Sequence, residues 1–250
     1  MKDYDEREIW SFNSQQKKSY QAFFRIPQNK YLLGLIEKYG KIDKNTKVLE
    51  AGCGWGFFVR KLSEKAKMVY GIDFENKMLK TCRNMCKGKK NIRLIKGDVR
   101  TLPFKDKTFD LVLCFGVVEH FDESVEAIKE LKRVLKKGGK LIISVPSAYN
   151  ITGRILRRIA ILRKKVPYYY QKHYSISSFK NILNDADVKI IFMGGYGGGL
   201  GVIPSRSRFI KFFASPLEDF LGSLVAYLQN KKSKIVPYFT HMLVAVCSSE

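Results

Sequence analysis

The stretch KVLEAGCGWGFFVRKL, residues 47–62, joins an apolar run to a helical pattern through glycines at positions 52, 54 and 56. Glycine permits tight turns and lets a ligand approach the backbone closely. The turn is not a phosphate loop, which requires G-x-x-x-x-G-K-[ST]. It is not the dinucleotide fingerprint G-x-G-x-x-G either, because Phe57 stands at the position of its third glycine. The acidic Glu50, just ahead of the glycines, suits a ligand with a positively charged group.

Six further apolar, β-branched runs follow the first one, with helical patterns between them. The first five of the seven runs are typical of parallel strands that are buried on both faces. Their alternation with helices predicts a doubly wound α/β sheet. The seven predicted strands are residues 47–52, 68–73, 92–98, 109–116, 139–147, 188–195 and 241–248.

The clearest helical pattern is SVEAIKELKRVLKKGG, residues 124–139. Apolar residues from Val125 to Leu135 recur at helical spacing, and basic residues fill the last turns. Gly138 is expected to end this helix, because glycine is the preferred residue just past a helix C-terminus.

Two acidic residues end the second and third predicted strands. Asp73 closes the tripeptide GID, and Asp98 follows a glycine at the end of the third run. A carboxylate at the first of these positions can accept hydrogen bonds from both hydroxyls of a ribose. Asp98 is placed to accept a hydrogen bond from an adenine amino group. A ribose, an adenine and a cationic amino-acid tail, for which Glu50 is suited, together describe S-adenosylmethionine (SAM).

In these residues the sequence resembles the class I SAM-dependent methyltransferases, over about residues 27–190. Four motifs occur in the order and spacing of that family: VLEAGCGWG, VYGIDFENKML, IKGDVRTLPFKDKTFDLVLCFGVVEHF and LKRVLKKGGKLIISVP. The resemblance implies a Rossmann-like sheet, mostly parallel with an antiparallel last strand, and helices on both faces. There are two departures. Glu75 replaces the small hydroxyl residue that family members often carry, and Asp187-Val188 replaces the usual Gly-Phe.

The resemblance also implies the cofactor and its site. The cofactor is SAM and the product S-adenosylhomocysteine (SAH), and no trio of acids marks a metal site. In the family, the acid and the glycines of the first turn hold the methionine portion of the cofactor. The residues at the ends of the second and third strands hold the ribose and the adenine. Residues after the fourth strand line the methionine side of the site. Carried over to this sequence, the cofactor-binding residues are Glu50, Gly52, Gly54, Gly56, Asp73, Phe74, Asp98, Val99, Phe115 and Gly116.

Three parts of the chain are predicted. N-terminal helices in residues 1–46 cap the cofactor site, and residues 47–147 form the SAM-binding core. Residues 148–250 complete the sheet. They include two lid-like insertions, 148–175 and 197–240, since loops of that length without their own structure are uncommon.

Two histidines are candidate catalytic residues. Methyl transfer needs a base only where the nucleophile is a weakly acidic hydroxyl or a carbon acid. His120, after the fourth strand, is the first candidate and His173 the second. The alternative for His120 is a helix-start residue with local hydrogen bonds. The alternative for the second region is helix capping by Ser175 or Ser177.

The positive charge of the chain has two interpretations. It indicates either that the protein binds anionic partners or that its surface is basic throughout. The formal net charge is +23, which favours nucleic acid, anionic lipid or an acidic substrate. RILRRIAILRKK, residues 154–165, has the pattern of a basic amphipathic helix that rests on an anionic membrane, or of an ordinary solvated face. Five cysteines without paired spacing indicate a reducing compartment. We therefore expect a cytoplasmic protein with peripheral contact to the membrane.

Three functions fit these observations. The first is methyl transfer to a small-molecule or lipid-like acceptor, favoured because CFGVVEHF follows the fourth strand where other methyltransferases carry N-P-P-[YF] or D-P-P-[YF]. The second is an RNA methyltransferase, favoured by the charge, although no RNA-binding appendage is recognisable. The third is a non-catalytic SAM-binding regulatory protein.

Overall fold

The computed structural model describes residues 27–149, 171–197 and 240–249, with Arg158 and Leu162 as single positions. Seven strands in these ranges form one sheet. They are β1 Lys47–Ala51, β2 Met68–Asp73, β3 Ile92–Lys96, β4 Phe109–Phe115, β5 Leu135–Pro146, β6 Lys189–Tyr196 and β7 Met242–Ser248. The order across the sheet is β3-β2-β1-β4-β5-β7-β6. All seven predicted strands are therefore present.

The sheet is parallel from β3 to β5, and β7 runs antiparallel between β5 and β6. This is the predicted Rossmann-like fold with an antiparallel last strand. The described helices are α1 Pro27–Gly40, α2 Phe57–Leu62, α3 Asn76–Met85, α4 Ser124–Arg133 and α5 Ile176–Asp185, with a short 3-10 helix at Val118–His120.

Two hydrophobic cores lie on the two faces of the sheet. Neighbouring strand residues belong to different cores, as with Val48 and Leu49 of β1, because successive side chains of a strand point to opposite faces. One core includes side chains of α4 and α5, and the other includes those of α1, α2 and α3. Burial on both faces explains why the central strands are continuously apolar in sequence.

The predicted end of the fourth helix was wrong. The helix α4 ends at Arg133, and Leu135 already pairs with Phe109 as the first residue of β5. The backbone N–H groups of Thr108 and Phe109 donate to the Val134 carbonyl at 2.8 and 2.9 Å. Leu135 fits a helical stripe and an inward-facing strand position equally well, and pairing with β4 decides between them.

Gly138 has a different role from the one predicted, since it lies within β5. Its φ is 73°, and the pairing of β5 with β4 jumps from Leu135 to Lys140 between Phe109 and Leu111. The left-handed backbone at this glycine accommodates the extra residues of the irregular stretch.

Asp187 occupies the turn where the family usually has glycine. It follows α5 with a φ of 54°, the left-handed conformation in which Asp and Asn are the best tolerated residues after glycine. The Lys132 ammonium donates to its carbonyl at 2.5 Å and to its carboxylate at 2.6 Å. At the other end of α5, Ser175 accepts a hydrogen bond from Ser178 N–H at 3.0 Å, so the cap is Ser175.

The described part of residues 1–46 begins with α1, which packs on the sheet through Leu32, Leu35 and Ile36. Its Tyr31 ring lies 5.8 Å from that of Tyr196 in β6. Residues 1–26, most of the insertions 148–175 and 197–240, and the basic helix 154–165 apart from its two single positions lie outside the described residues. Capping and lid roles therefore stay predictions. Within the described ranges, no helix is both long enough and apolar enough to cross a membrane.

Candidate cofactor and acceptor site

A crevice forms where β1 and β4 lie side by side at the centre of the sheet. The chain leaving β1 enters α2, which packs into one core, and the chain leaving β4 enters α4, which packs into the other. Open α/β sheets bind their ligands at such a reversal point, outside the carboxyl ends of the strands. The glycine turn and the Gly116 loop flank this point.

The three glycines of the turn have different structural roles, although all three have left-handed φ values of 76°, 46° and 80° in chain order. A Cβ on Gly52 would lie 2.3 Å from Cγ2 of Val117, and a Cβ on Gly56 would lie 2.3 Å from Sγ of Cys82. These two positions are required by packing. For Gly54, no described atom lies within 4 Å of the Cβ position. Gly54 thus leaves open space, which is what a ligand resting on the backbone requires.

Asp73 connects the glycine turn to the end of β2. Its carboxylate accepts hydrogen bonds from Gly54 N–H at 2.8 Å and from Glu75 N–H at 3.0 Å. Burial raises the pKa of Asp73, and these two hydrogen bonds oppose the rise. Glu75, the departure from the family pattern, caps α3 by accepting from Lys77 N–H at 3.0 Å. A carboxylate can therefore do what the usual small hydroxyl residue does as a cap.

Glu50 is buried behind the turn. Its Oε2 accepts a hydrogen bond from Val59 N–H at 2.9 Å, in the first turn of α2. Burial raises the pKa of Glu50 well above its usual range, although this hydrogen bond opposes the rise. A cationic ligand group beside it would restore the ionised form.

A pocket of about 690 Å³ opens at the carboxyl ends of β2 and β3. The Phe74 ring at its edge is 40% exposed, unlike most large apolar side chains of the described residues, so it offers a free aromatic face. The side chain of Val99, by contrast, is buried in a core. The pocket is lined by Phe74, Glu75, Asn76, Lys77, Lys96, Gly97 and Asp98.

Asp98 is held by a residue that the sequence patterns did not single out, Arg100. The guanidinium Nη2 lies 2.7 Å from one carboxylate oxygen of Asp98, and Arg100 N–H donates to the other at 2.8 Å. Arg100 also reaches Glu123 at 3.3 Å and lies 4.7 Å from the centre of the Phe121 ring. Arg100 thus links the end of β3 to the loop before α4. Its hydrogen bonds lower the pKa of Asp98, which keeps this carboxylate ionised as an acceptor.

We expect Arg100→Ala to raise the pKa of Asp98 towards the ordinary value for aspartate, because hydrogen bonds from Arg100 are the largest cause of its depression. An NMR titration of the side-chain carboxyl carbons would measure the shift. Arg93→Ala, a change at a distant exposed arginine on β3, is the matched control. An unchanged Asp98 pKa in Arg100→Ala would contradict the role of this ion pair.

The other wall of the crevice is the segment after β4. The ring of Phe115 packs against that of Phe58 at 5.0 Å, in the core that α2 enters. Gly116 has a φ of 69°, and its N–H donates to the Ser144 carbonyl at 3.1 Å. Glu119, in the 3-10 helix that follows, is only 2% exposed. Burial raises the pKa of its carboxyl to about 8.

The two candidate histidines lie near each other in the fold. Lys172 N–H donates to the Glu119 carbonyl at 2.9 Å, so the backbone next to His173 is joined to the backbone next to His120. The third histidine of the sequence, His241, also lies at this edge, because its carbonyl accepts from Ser147 N–H at 3.0 Å. No sequence signal marks His241, because its place depends on β7 running antiparallel.

The five cysteines are free and buried. Burial and neighbouring thiols raise the pKa of both Cys82 and Cys86. These thiols therefore serve as small apolar side chains around the glycine turn. In the part of the chain that the structure describes, no three His, Cys, Asp or Glu side chains are arranged to hold a metal ion.

Comparison with known proteins agrees with this geometry. Residues 49–143, from the end of β1 to β5, match the family model described as a methyltransferase domain. Residues 49–143 therefore form a methyltransferase domain. An uncharacterized protein of Methanocaldococcus jannaschii is 33% identical over 155 residues, which are 62% of this chain and 64% of that protein. A demethylmenaquinone methyltransferase of Staphylococcus carnosus is 34% identical over 118 residues, 46% of this chain and 49% of that one.

The matched part of the chain spans about half to two thirds of the length of these curated relatives. Solved structures agree in fold over nearly the whole chain. A chain from the Haloferax volcanii complex of the Trm112 methyltransferase activator with a methyltransferase has a TM-score of 0.68 at 16% identity, covering 98% of this chain and 97% of that chain. Magnesium protoporphyrin IX methyltransferase from Synechocystis, with bound SAH, has a TM-score of 0.62 at 17% identity, covering 97% of each.

Proposed function

We propose that this protein transfers a methyl group from SAM to a small-molecule or lipid-like acceptor. The observation that carries the proposal is the open space over Gly54 beside Asp73, whose carboxylate holds the Gly54 N–H at 2.8 Å. One side of the turn is thus free for a ligand, while Gly52 and Gly56 are filled by packing. A pocket lined by Phe74 and Asp98 lies at the carboxyl ends of β2 and β3, directly after Asp73 in the chain.

The donor groups fit SAM in kind and in order. Glu50 and the glycine turn provide negative charge and backbone contacts for the amino-acid end, and Asp73 provides acceptors for ribose hydroxyls. Phe74 offers its exposed ring to the adenine, and Asp98 an ionised acceptor for the amino group. SAM supplies the reactive methyl, so the protein has to bind it and orient the acceptor. Where the acceptor is a weak acid, His120 and then His173 are the proposed bases.

The acceptor is proposed from two considerations. The relatives that carry a named activity act, by their names, on demethylmenaquinone, and a structural neighbour is named for magnesium protoporphyrin IX. In addition, Leu162 is 82% exposed in a segment rich in basic residues, and Arg158 on the same segment is exposed too. An apolar side chain among basic ones suits an apolar, anionic or membrane-proximal acceptor.

Calorimetry with SAM and SAH tests the cofactor, and transfer of labelled methyl from SAM into lipid, RNA and small-molecule fractions tests the acceptor. We expect both ligands to bind without added metal and the label to enter the lipid or small-molecule fraction. Label in RNA alone would make the RNA methyltransferase the better function. Binding without any transfer would favour the regulatory alternative, and absence of binding at millimolar concentration would overturn the proposal.

We expect Asp73→Ala to weaken SAM binding by about 1–3 kcal/mol, roughly 5- to 150-fold in Kd, because ribose hydroxyls and the Gly54 N–H lose their acceptor. Calorimetric titration measures this loss. Asp110→Ala is a matched control. The Asp110 carboxylate accepts hydrogen bonds from the backbone N–H of Lys47 and the ammonium of Lys136, at the opposite edge of the sheet. An Asp73→Ala variant that binds as tightly as the wild type would place the ribose elsewhere.

A further inference from the structure

We infer that Glu119 responds to the charge on the sulfur of the cofactor, losing its proton when cationic SAM is bound and keeping it when neutral SAH is bound. The inference rests on the proposed function. It assigns to this carboxyl a role in telling substrate cofactor from product cofactor.

The position of Glu119 is fixed by contacts between the two walls of the crevice. Val117 touches the glycine turn so closely that a Cβ on Gly52 would lie 2.3 Å from it. Glu119 is two residues further on, and its Oε1 lies 3.5 Å from the Cβ position of Gly116. The carboxyl is therefore buried beside Gly116, two residues from the side chain that packs against the glycine turn.

The carboxyl is buried without a counter-ion. Among the described residues, Oε2 of Glu119 has no hydrogen-bond partner and no basic group forms an ion pair with Glu119. Lys172, whose backbone binds the Glu119 carbonyl, directs its ammonium to Asp122 instead, at 3.3 Å. A buried carboxyl of this kind is stable as the neutral acid and becomes an anion when a cation arrives.

The titratable groups that face Glu119 come from several elements. Its charge acts on Cys114 in β4, on the hydroxyl of Tyr174 and on the hydroxyl of Tyr196 in β6. Glu50 acts on the same Cys114 thiol from the β1 side. His120 is the adjoining residue. The thiol and the phenols are neutral near pH 7, and Glu50 would add negative charge, so none of these four supplies the positive charge that would ionise Glu119.

The consequence is a difference in proton release between the two ligands. With a pKa of about 8, about nine-tenths of the Glu119 carboxyls are protonated at pH 7 in the free protein. A sulfonium ion nearby lowers that pKa, and the proton leaves to solvent. SAM binding then releases close to one proton more than SAH binding. Because the SAM complex holds fewer protons, raising the pH up to about 8 favours SAM over SAH by as much as tenfold per unit.

Calorimetry of SAM and SAH binding at pH 7, repeated in buffers of different ionisation enthalpy, measures both proton numbers. We expect wild type to release more protons with SAM than with SAH. Glu119→Gln, a neutral replacement of the same shape, should bind both ligands and release equal numbers. Glu126→Gln, a change at an exposed position of α4, is the matched control and should keep the wild-type difference.

Three outcomes would overturn the inference in distinguishable ways. Equal proton release by the two ligands in wild type would show that Glu119 does not sense the sulfur, while the binding itself would leave the proposed function standing. A difference that survives in Glu119→Gln and disappears in Glu50→Gln would assign the role to Glu50. Failure of both ligands to bind wild type would remove the proposed function and the inference together.

Discussion

Gly56→Ala is expected to lower the free energy of unfolding by about 2–5 kcal/mol. A left-handed backbone costs an alanine about 1–2 kcal/mol, and forcing a methyl group into a packed core costs about 1–3 kcal/mol. Both costs apply at Gly56, where φ is 80° and the new Cβ would lie 2.3 Å from Sγ and 3.3 Å from Cα of Cys82. The midpoint of urea unfolding, followed by circular dichroism, measures the loss.

Gly54→Ala is the matched control, because it shares the left-handed φ and lacks the clash. Its loss of stability should stay near the backbone cost of about 1–2 kcal/mol, while its affinity for SAM should fall. In Gly56→Ala, a second change of Cys82 to Ala should recover part of the lost stability, since the two side chains then compete less for space. Equal destabilisation by the two glycine changes would contradict the division between packing and ligand-facing glycines.

The second large effect is a loss of stability as the pH rises from about 4.5 to about 8. The Glu119 carboxyl has a pKa of about 8 when folded, against 4.5 as its ordinary value, so the native state holds a proton that the unfolded state releases between these pH values. Its contribution to stability is therefore complete below pH 4.5 and is lost as the pH rises to about 8. At about 1.4 kcal/mol per pKa unit, the loss approaches 5 kcal/mol.

Glu119→Gln removes this dependence, because glutamine has no proton to lose. As the pH rises from 5 to 9, we expect the free energy of unfolding of the variant to increase relative to that of wild type by several kcal/mol. Urea unfolding at each pH measures this difference. Glu126→Gln, at an exposed position, should follow wild type. Stability curves for Glu119→Gln and wild type that run parallel over this range would show that Glu119 is not buried as a neutral acid.

The strands were predictable because their pattern is local. A parallel strand buried on both faces needs a continuous apolar run, and central strands such as β1 and β4 satisfy this in their own few residues. The end of α4 was not predictable in this way. Leu135 continues the helical stripe, and its pairing with Phe109, 26 positions earlier in the chain, gives the competing signal. Such pairing is invisible to a window of neighbouring residues.

The same division holds for the candidate site. The order of Glu50, the glycines, Asp73 and Asp98 indicated SAM from spacing alone, because parallel strand ends meet at one edge of a sheet. It did not distinguish Gly54 from Gly52 and Gly56. That distinction depends on Val117 and Cys82, which approach the turn from other elements. Arg100 was missed in part for a similar reason: besides the nearby Asp98, it contacts Glu123 and Phe121 in a different loop.

By itself, then, the sequence determined the fold class and the strand order along the chain and predicted the kind of ligand, since each depends on residue types at short, regular spacing. Only the tertiary structure decided which polar groups are buried from solvent without a hydrogen-bond or ion-pair partner among the described residues. In the sequence, nothing distinguishes Glu119 from an ordinary acidic residue beside His120. Its proton is retained near pH 7 because the fold removes the carboxyl from solvent without placing a described cation beside it. The raised pKa of Glu119 depends on burial by elements that are distant in the chain, and the neighbouring residues of the sequence do not predict that burial.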